Sequence, residues 1–228
     1  MSDTSDQQKY FGKIETACSG FFETPIAIAK VREPDALIAD LEKAIRSRMA
    51  SHPGLDRSNV GGWHSDAGMP QWGGAAARAL VQQTIDLAAQ MTHVEEHRWE
   101  DITWAVQMWA NVSGSGASNQ MHVHPGNLWA AVFYVDLGVG DHAPEDVGGE
   151  FYFEDPRFPG TAMHAAGFRM RDSKGAPQVW QSQIRPQRGD IIIFPAWLRH
   201  GVRPYRGDRE RISIAMNLDP APPRRGPR

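Results

Sequence analysis

The sequence contains very little cysteine, no long apolar run and no excess of positive charge. Its single cysteine, Cys18, excludes an intrachain disulfide and favours a reducing compartment. No run of about 18 apolar residues occurs, so no membrane-spanning helix is predicted. The formal net charge is −3, and the chain therefore lacks the strongly basic character of proteins that bind nucleic acid or anionic membranes. Because the N-terminus also shows no secretory pattern, we expect a cytoplasmic protein.

Tryptophan is abundant in this chain. Its 228 residues include 8 tryptophans, which are candidates for a hydrophobic core or for the flat apolar walls of a pocket. A chain of this length can bury a large core as one domain without disulfides or structural metals.

The N-terminal part of the chain is predicted to be mainly helical. A short strand is expected at 26–29, and a helix with one apolar stripe follows Pro34 and ends at 52–54. A second helix is predicted over 75–93. The segment between these helices, 53–74, has the Gly- and Pro-rich composition of a loop.

The remainder of the chain has the pattern of short β-segments separated by Gly, Pro and Asp. The predicted strands are 102–112, 119–124, 128–137, 149–154, 178–185, 190–195, 201–204 and 211–218. This spacing is typical of a sandwich or barrel.

These patterns predict one mainly β domain with N-terminal helices. The domain spans 10–218, with helices and loops at 10–100 and the β core at 101–218. The polar segment 1–9 and the Pro- and Arg-rich segment 219–228 are predicted to be disordered tails.

Three of the nine histidines are candidate metal ligands. His122 and His124 lie two residues apart in a strand-like segment, so their side chains face the same side of the strand. His200 follows a buried-strand pattern and a short turn. Three imidazoles at strand ends can bind Fe, Zn, Cu or Ni and leave positions open for substrate and for O₂ or water. The alternative interpretation is that they are ordinary core and turn histidines.

The order of several motifs resembles that of Fe(II)/2-oxoglutarate-dependent oxygenases, specifically those of the prolyl-hydroxylase type. That order is a His-x-Asp/Glu pair, a tyrosine-containing strand, a Gly-Gly strand, a distal histidine and then an arginine. The matching segments here are His122-Val123-His124, Phe133-Tyr134-Val135-Asp136, Gly148-Gly149-Glu150-Phe151, Pro195 to His200, and Arg211-Ile212-Ser213-Ile214.

The resemblance implies a fold, a metal site and a cosubstrate site. The fold is a double-stranded β-helix, the jelly-roll core that cupins also have. His122 and His200 are implied as Fe(II) ligands. The residues implied to bind 2-oxoglutarate are Arg211, Ser213, Tyr134 and Asn111. Arginine suits this role because its guanidinium can bind a carboxylate through two parallel hydrogen bonds.

The implied reaction is hydroxylation of a small molecule or a peptide side chain, with O₂ as the oxidant and succinate and CO₂ as co-products. The protein supplies orientation and exclusion of water while the cofactor supplies the chemistry. Four residues are expected to line the substrate side: Trp63, His64, Trp129 and Trp197. A homodimer formed through the N-terminal helices is also expected.

His124 departs from the family pattern, because it stands where the pattern has Asp or Glu. Three interpretations are open. His124 binds the metal and makes a three-histidine site; or it does not bind, and one coordination position is free; or a carboxylate from elsewhere, such as Glu150, takes its place. Three histidines plus water is also a zinc arrangement, so the identity of the metal is open as well.

Two other classes of function are consistent with the same residues. The first is a cupin-type metalloenzyme, either a zinc hydrolase or an O₂-using dioxygenase, that does not use 2-oxoglutarate. A cupin pattern would have a glutamate shortly after the second histidine, and 125–134 contain none. The second is a non-enzymatic β-sandwich that binds a ligand or a partner protein.

Overall fold

The computed structural model describes residue 17 and residues 19–95, 101–140, 147–157 and 168–221. The predicted tail at 1–9 and most of the tail at 219–228 lie outside these residues. The helices are α1 (Asp35–Ser51), α2 (Met69–Trp72) and α3 (Gly74–Gln90). None of them is long and apolar enough to cross a bilayer.

The strands of the described residues form two antiparallel sheets. They are β1 (Ala27–Lys30), β2 (Asn59–Val60), β3 (Trp63–His64), β4 (Thr103–Ser113), β5 (Ser118–His122), β6 (Trp129–Asp136), β7 (Phe151–Glu154), β8 (Gln181–Ile184), β9 (Asp190–Pro195), β10 (His200–Val202) and β11 (Arg211–Ala221). The larger sheet has the order β1-β9-β6-β11-β4-β3, and the smaller sheet has the order β2-β5-β10-β7-β8. This is a double-stranded β-helix, and the predicted fold class is confirmed.

The central strand β11 shows how the sequence distributes its residues between the two faces of the larger sheet. Side chains alternate across a strand, and Ile212, Ile214, Met216 and Leu218 belong to the main hydrophobic core. The residues between them are mostly polar and face the smaller sheet. β11 therefore separates the core from the interior of the jelly roll.

Helices α1 and α3 cover the core face of the larger sheet. Ile38, Leu41 and Ile45 recur at the spacing of one helix face and are buried. Leu80 of α3 is fully buried in the same cluster. The helices lie on the sheet face opposite to the interior, so they support the site from behind without lining it.

The segment 53–74 contains more regular structure than its loop composition predicts. Strands β2 and β3 belong to different sheets and are joined by Gly61 and Gly62, whose φ angles are 68° and 72°. Only glycine adopts such angles readily, and a Cβ on Gly62 would lie 2.6 Å from the carbonyl oxygen of Val112. The glycines that indicated a loop therefore permit a tight crossing between the sheets.

Strand β11 also extends further than predicted. It continues to Ala221, which pairs with Thr103 at the start of β4. The first three residues of the expected tail, 219–221, are therefore part of the larger sheet. The Pro- and Arg-rich composition begins at 219, inside the last three residues of this strand. Composition therefore placed the end of the domain too early.

Candidate metal centre

Three histidines converge on one point in the smaller sheet. His122 is the last residue of β5, and it pairs in register with His200, the first residue of β10. His124 follows β5 by two residues and lies beside both. One ring nitrogen of each lies within 4.8 Å of one ring nitrogen of each other histidine, and no other such cluster of His, Cys, Asp and Glu occurs in the described residues.

Backbone carbonyl groups fix the tautomers of two of these rings. His122 Nδ1 donates to the carbonyl oxygen of Gln120 at 2.7 Å, and His200 Nδ1 donates to that of Leu198 at 2.8 Å. In each ring this leaves the Nε2 lone pair directed at the common centre. Hydrogen bonds of this kind from the second ring nitrogen are the usual way in which proteins orient metal-binding histidines.

Burial keeps the cluster uncharged near neutral pH. Desolvation, followed by the charge of His122, lowers the pKa of His124 to about 4 and that of His200 to about 3. Desolvation lowers the pKa of His122 as well. Because only neutral imidazole binds a metal ion, the rings need no proton release at pH 7 before binding. The donor set fits a divalent transition metal.

Among the residues that the structure describes, no carboxylate joins this cluster. Glu150 accepts a hydrogen bond from Arg185 at 3.3 Å and lines a second cavity behind Arg211. Of the three interpretations of His124, the one in which Glu150 completes the site therefore has no support in the geometry. His124 itself is in place: its Nε2 lies 3.2 Å from Nε2 of His200.

A buried cation with incomplete pairing lies in the same cavity. Arg211 is only 3% exposed, and its Nη1 makes one long contact of 3.5 Å to Ser213 Oγ. Its Nη2 atom is buried and has no hydrogen-bond partner among the described residues. Leaving a guanidinium unpaired in a protein interior is costly. The arrangement is therefore suited to an incoming anion.

Tyr134 offers a second donor beside Arg211. The guanidinium carbon of Arg211 lies 5.2 Å from the centre of the Tyr134 ring. The Tyr134 hydroxyl is buried and forms no hydrogen bond with any other described residue. Burial raises the pKa of Tyr134 to about 12, so the hydroxyl stays protonated and can donate a hydrogen bond to a carboxylate.

Strand register brings the four predicted cosubstrate residues together. Ser213 on β11 pairs with Asn111 on β4 and with Tyr134 on β6, and Arg211 lies two residues before Ser213 on the same face. The unpaired buried atom of Asn111 is the acceptor Oδ1. Asn111 as oriented therefore suits a hydrogen-bond donor better than a carboxylate oxygen.

The histidines and Arg211 line one cavity between the two sheets. The cavity and the open solvent at its mouth together contain about 480 Å³ of space free of protein atoms. Aromatic and aliphatic side chains, among them Phe151, Phe194 and Val202, form much of the wall. A largely apolar cavity with a few convergent polar groups is typical of small-molecule sites.

The structure places two of the predicted substrate-side residues in the core instead. Trp63 and Trp129 are 9% and 5% exposed and belong to the main hydrophobic cluster. Their indole nitrogens donate to the His52 carbonyl oxygen and to Thr92 Oγ1, respectively. Neither lines the cavity, because both occupy the sheet face that the helices cover.

The other two predicted substrate-side residues are closer to the site. Trp197 lies in the turn between β9 and β10, which leads into His200, and is 55% exposed. His64 is buried and stacks on Trp109, with ring centres 5.7 Å apart. Trp109 in turn lies 5.8 Å from the ring of His124. His64 also pairs in register with Asn111, which lines the cavity, so it packs beside Trp109 on the same face of the sheet.

The cavity also includes residues that sequence reasoning did not single out. Trp109 is one. Ser58 is another: its Oγ lies 3.5 Å from His122 Nε2 and accepts a hydrogen bond from Asn119. Nothing in the sequence around Ser58 distinguishes it from an ordinary loop serine.

Comparison with known proteins finds a family model that matches part of this chain. Residues 107–217 match the family model described as "Putative 2OG-Fe(II) oxygenase". No curated protein sequence matches the chain.

Solved structures with a similar fold share little sequence with the chain. A prolyl hydroxylase from Trichoplax adhaerens, in complex with a peptide fragment of hypoxia inducible factor, is 13% identical, with TM-score 0.59 over 85% of this chain and 83% of that one. A prolyl-4-hydroxylase from Pseudomonas putida is 16% identical, with TM-score 0.56 over 89% and 94%. HygX from Streptomyces hygroscopicus, with nickel and 2-oxoglutarate bound, is 14% identical, with TM-score 0.56 over 88% and 83%. At these identities the likeness shows the fold.

Proposed function

Because residues 107–217 match the family model described as "Putative 2OG-Fe(II) oxygenase", we propose that the protein is a 2-oxoglutarate/Fe(II)-dependent oxygenase that hydroxylates a small molecule or a peptide side chain and forms succinate and CO₂. Fe(II), 2-oxoglutarate and O₂ are the cofactor and cosubstrates of this family. One observation carries the assignment to this chain's residues: three neutral histidines and an unpaired buried guanidinium share one cavity.

His122, His124 and His200 would hold the metal through Nε2. Their neutral rings add no negative charge, so the metal keeps its full attraction for a dianionic cosubstrate. Hydrogen bonds to the carbonyl groups of Gln120 and Leu198 hold two of the rings in the binding orientation. The bound metal and cosubstrate supply the oxidative chemistry, and the protein supplies the geometry.

Arg211 and Tyr134 would anchor the cosubstrate at its far carboxylate. Within the described part of the chain, neither Arg211 Nη2 nor the Tyr134 hydroxyl has a hydrogen-bond partner, and a carboxylate can accept from both. Ser213, at the same level of β11, orients the guanidinium through its contact with Nη1. The apolar wall around the histidines excludes water and strengthens these interactions.

A peptide side chain is one of the two substrate classes we propose. The Trichoplax adhaerens prolyl hydroxylase was solved with a peptide, and its fold is shared by this chain. The expected homodimer through the N-terminal helices and the expected cytoplasmic location remain predictions.

Anaerobic spectroscopy tests the proposed function directly. Purified protein loaded with Fe(II) should develop a weak visible charge-transfer band when 2-oxoglutarate is added. Admission of O₂ should then convert 2-oxoglutarate to succinate in a metal-dependent manner. Two results together would instead support the cupin-type metalloenzyme: the protein binds zinc, and the protein fully loaded with iron forms no charge-transfer band with 2-oxoglutarate.

A further inference from the structure

Asn217 carries a buried polar atom that the proposed cofactor site does not use. The residue is 7% exposed, and its side-chain carbonyl oxygen Oδ1 has no hydrogen-bond partner among the described residues. Asn217 Nδ2 contacts Gln107 Oε1 on the neighbouring strand at 3.5 Å. An unsatisfied buried acceptor is destabilising, and the position therefore suits a ligand that donates a hydrogen bond.

Strand alternation places Asn217 on the interior face of β11. Arg211, Ser213 and Ala215 line the cavity, and Asn217 continues the same series. Its neighbours Met216 and Leu218 are in the core on the opposite face. Asn217 pairs in register with Ala130 on the neighbouring strand β6, and Ala130 also lines the cavity.

Asn217 lies at the metal end of this face, away from Arg211. At about 3.3 Å per residue, it is roughly 20 Å along β11 from Arg211. Three backbone hydrogen bonds link its neighbour to a metal-binding histidine: Leu128 N donates to Leu218 O, Ala196 N to Leu128 O, and His124 N to Ala196 O. The cosubstrate anchor and Asn217 thus lie towards opposite ends of the strand.

The same end of the face opens to solvent. Gln107, which pairs with Asn217 in register, is exposed on β4. The exposed amide of Gln107 thus lies next to the buried amide of Asn217, at the end of β11 away from Arg211. This is the position that a substrate, as distinct from the cosubstrate, would take.

The two amides leave a complementary pair of hydrogen-bonding atoms free. Asn217 Nδ2 and Gln107 Oε1 face each other, so the acceptor Asn217 Oδ1 and the donor Gln107 Nε2 remain available. A ligand that satisfies both must present a donor and an acceptor on separate atoms. A secondary amide, as in a peptide backbone, has this arrangement, whereas an ester has no N–H to give to Oδ1.

We propose that Asn217, with Gln107, forms a substrate-binding site for an amide group, so that the substrate is a peptide or another amide-bearing compound held by its N–H. The inference rests on the proposed function, because it places the amide beside the metal that would oxidise its neighbour. Asn217 acts here as a specificity-determining residue, and it does not contact the cosubstrate anchor.

The experiment compares amides with matched esters on the Fe(II)-loaded protein. Under anaerobic conditions with saturating 2-oxoglutarate, a panel of N-methylamides of carboxylic acids that contain no other amide group, and the corresponding methyl esters, is titrated by calorimetry. At least one amide should bind about tenfold more tightly than its ester, which corresponds to one hydrogen bond to a buried acceptor. In Asn217→Leu, which has similar volume and no acceptor, the preference should disappear.

The controls separate this inference from the proposed function. The charge-transfer band with 2-oxoglutarate is recorded first, and it should be the same in wild type and Asn217→Leu. An absent band in the wild type would overturn the proposed function. A normal band with no amide bound, with no preference for amides over esters, or with the preference retained in Asn217→Leu would overturn the amide site alone.

Discussion

Nε2 of His124 and Nε2 of His200 lie 3.2 Å apart, although 76 positions separate the two residues in the sequence. Both rings are uncharged at neutral pH, because burial lowers their pKa values. Two nitrogen atoms this close can share a proton or a cation. The carbonyl group of Leu198 holds the other nitrogen of His200, so that its Nε2 lone pair points at this shared position.

Removal of His124 should therefore abolish tight metal binding. In His124→Ala, we expect the affinity for Fe(II) or Zn(II) to fall by more than the roughly 10- to 100-fold that loss of an outer-shell partner costs. His124→Asp, which restores the usual family ligand, should retain one ion per chain. Metal content and competition with a chromogenic chelator measure both.

A matched control for this prediction is His52→Ala, since His52 is exposed at the end of α1. It should bind metal as the wild type does. Equal metal affinity in His124→Ala and the wild type would rule out the three-histidine site and leave the interpretation with an open coordination position.

Substitution of Arg211 should remove cosubstrate binding without removing the metal. In Arg211→Leu, we expect 2-oxoglutarate to bind roughly 10- to 100-fold more weakly, because hydrogen bonds to charged groups contribute about 1.5–3 kcal/mol. Anaerobic titration of the charge-transfer band measures the affinity. Arg209→Leu is the control: Arg209 is two residues away, largely exposed and paired with Asp136. Similar losses in both variants would contradict an anchoring role for Arg211.

The metal-free protein should lose stability as the pH falls below about 6.5. An unfolded histidine takes up a proton near its ordinary pKa of 6.5, whereas folded His124 and His200 do so only near pH 4 and pH 3. The unfolded state therefore binds more protons over this range, and the free energy of unfolding decreases as pH falls. Urea unfolding from pH 7 to pH 5 should show this slope.

The double variant His124→Gln/His200→Gln supplies the comparison for the pH series. Its free energy of unfolding should change less over the same pH range, since the two titrating groups are absent. Parallel slopes in the variant and the wild type would mean that other groups cause the pH dependence.

Gly201 should be necessary for the close approach of the strands that carry the histidines. A Cβ at this position would lie 2.7 Å from the Tyr152 hydroxyl and 2.9 Å from the Asn119 carbonyl oxygen. We expect Gly201→Ala to displace β10 from β5 and to weaken metal binding. Gly114→Ala, where a Cβ meets nothing within 4 Å, is the control. Unchanged metal affinity in Gly201→Ala would show that the strands tolerate the methyl group.

The core behind the site should be sensitive to truncation. Ile193 is fully buried on β9, and Ile193→Ala should lower the free energy of unfolding by about 2–5 kcal/mol. Ile28, on the adjacent strand β1, is 55% exposed, and Ile28→Ala should cost less than about 1 kcal/mol. Chemical denaturation measures both, and equal losses would place Ile193 outside the core.

Local sequence patterns predicted the elements of this fold well. Every predicted β-segment from 102 onward corresponds to one of the strands β4–β11. The two-residue spacing of His122 and His124 predicted that both rings face one side, because a sequence displays the alternation along a single strand directly. That His200 meets them follows from the pairing of β5 with β10, and for this step the sequence alone left ordinary core and turn histidines open as the alternative.

Features that depend on pairing between distant strands could not be predicted. Trp63 and Trp129 look the same in the sequence as Trp109, yet only Trp109 lies on the interior face. Which face a tryptophan occupies follows from the register of β3, β4 and β6 in the sheet. The unpaired atoms of Asn217 and Tyr134 likewise become visible only when their neighbours are known.

The division of β11 into two faces has a practical consequence for protein engineering. Positions 215 and 217, which lie beyond the cosubstrate-site residues Arg211 and Ser213, can be randomised in a mutational library while 212, 214, 216 and 218 are held constant. Such a library would sample new ligand preferences on an unaltered hydrophobic scaffold. A single strand would then be sufficient as the starting point for directed evolution of this enzyme.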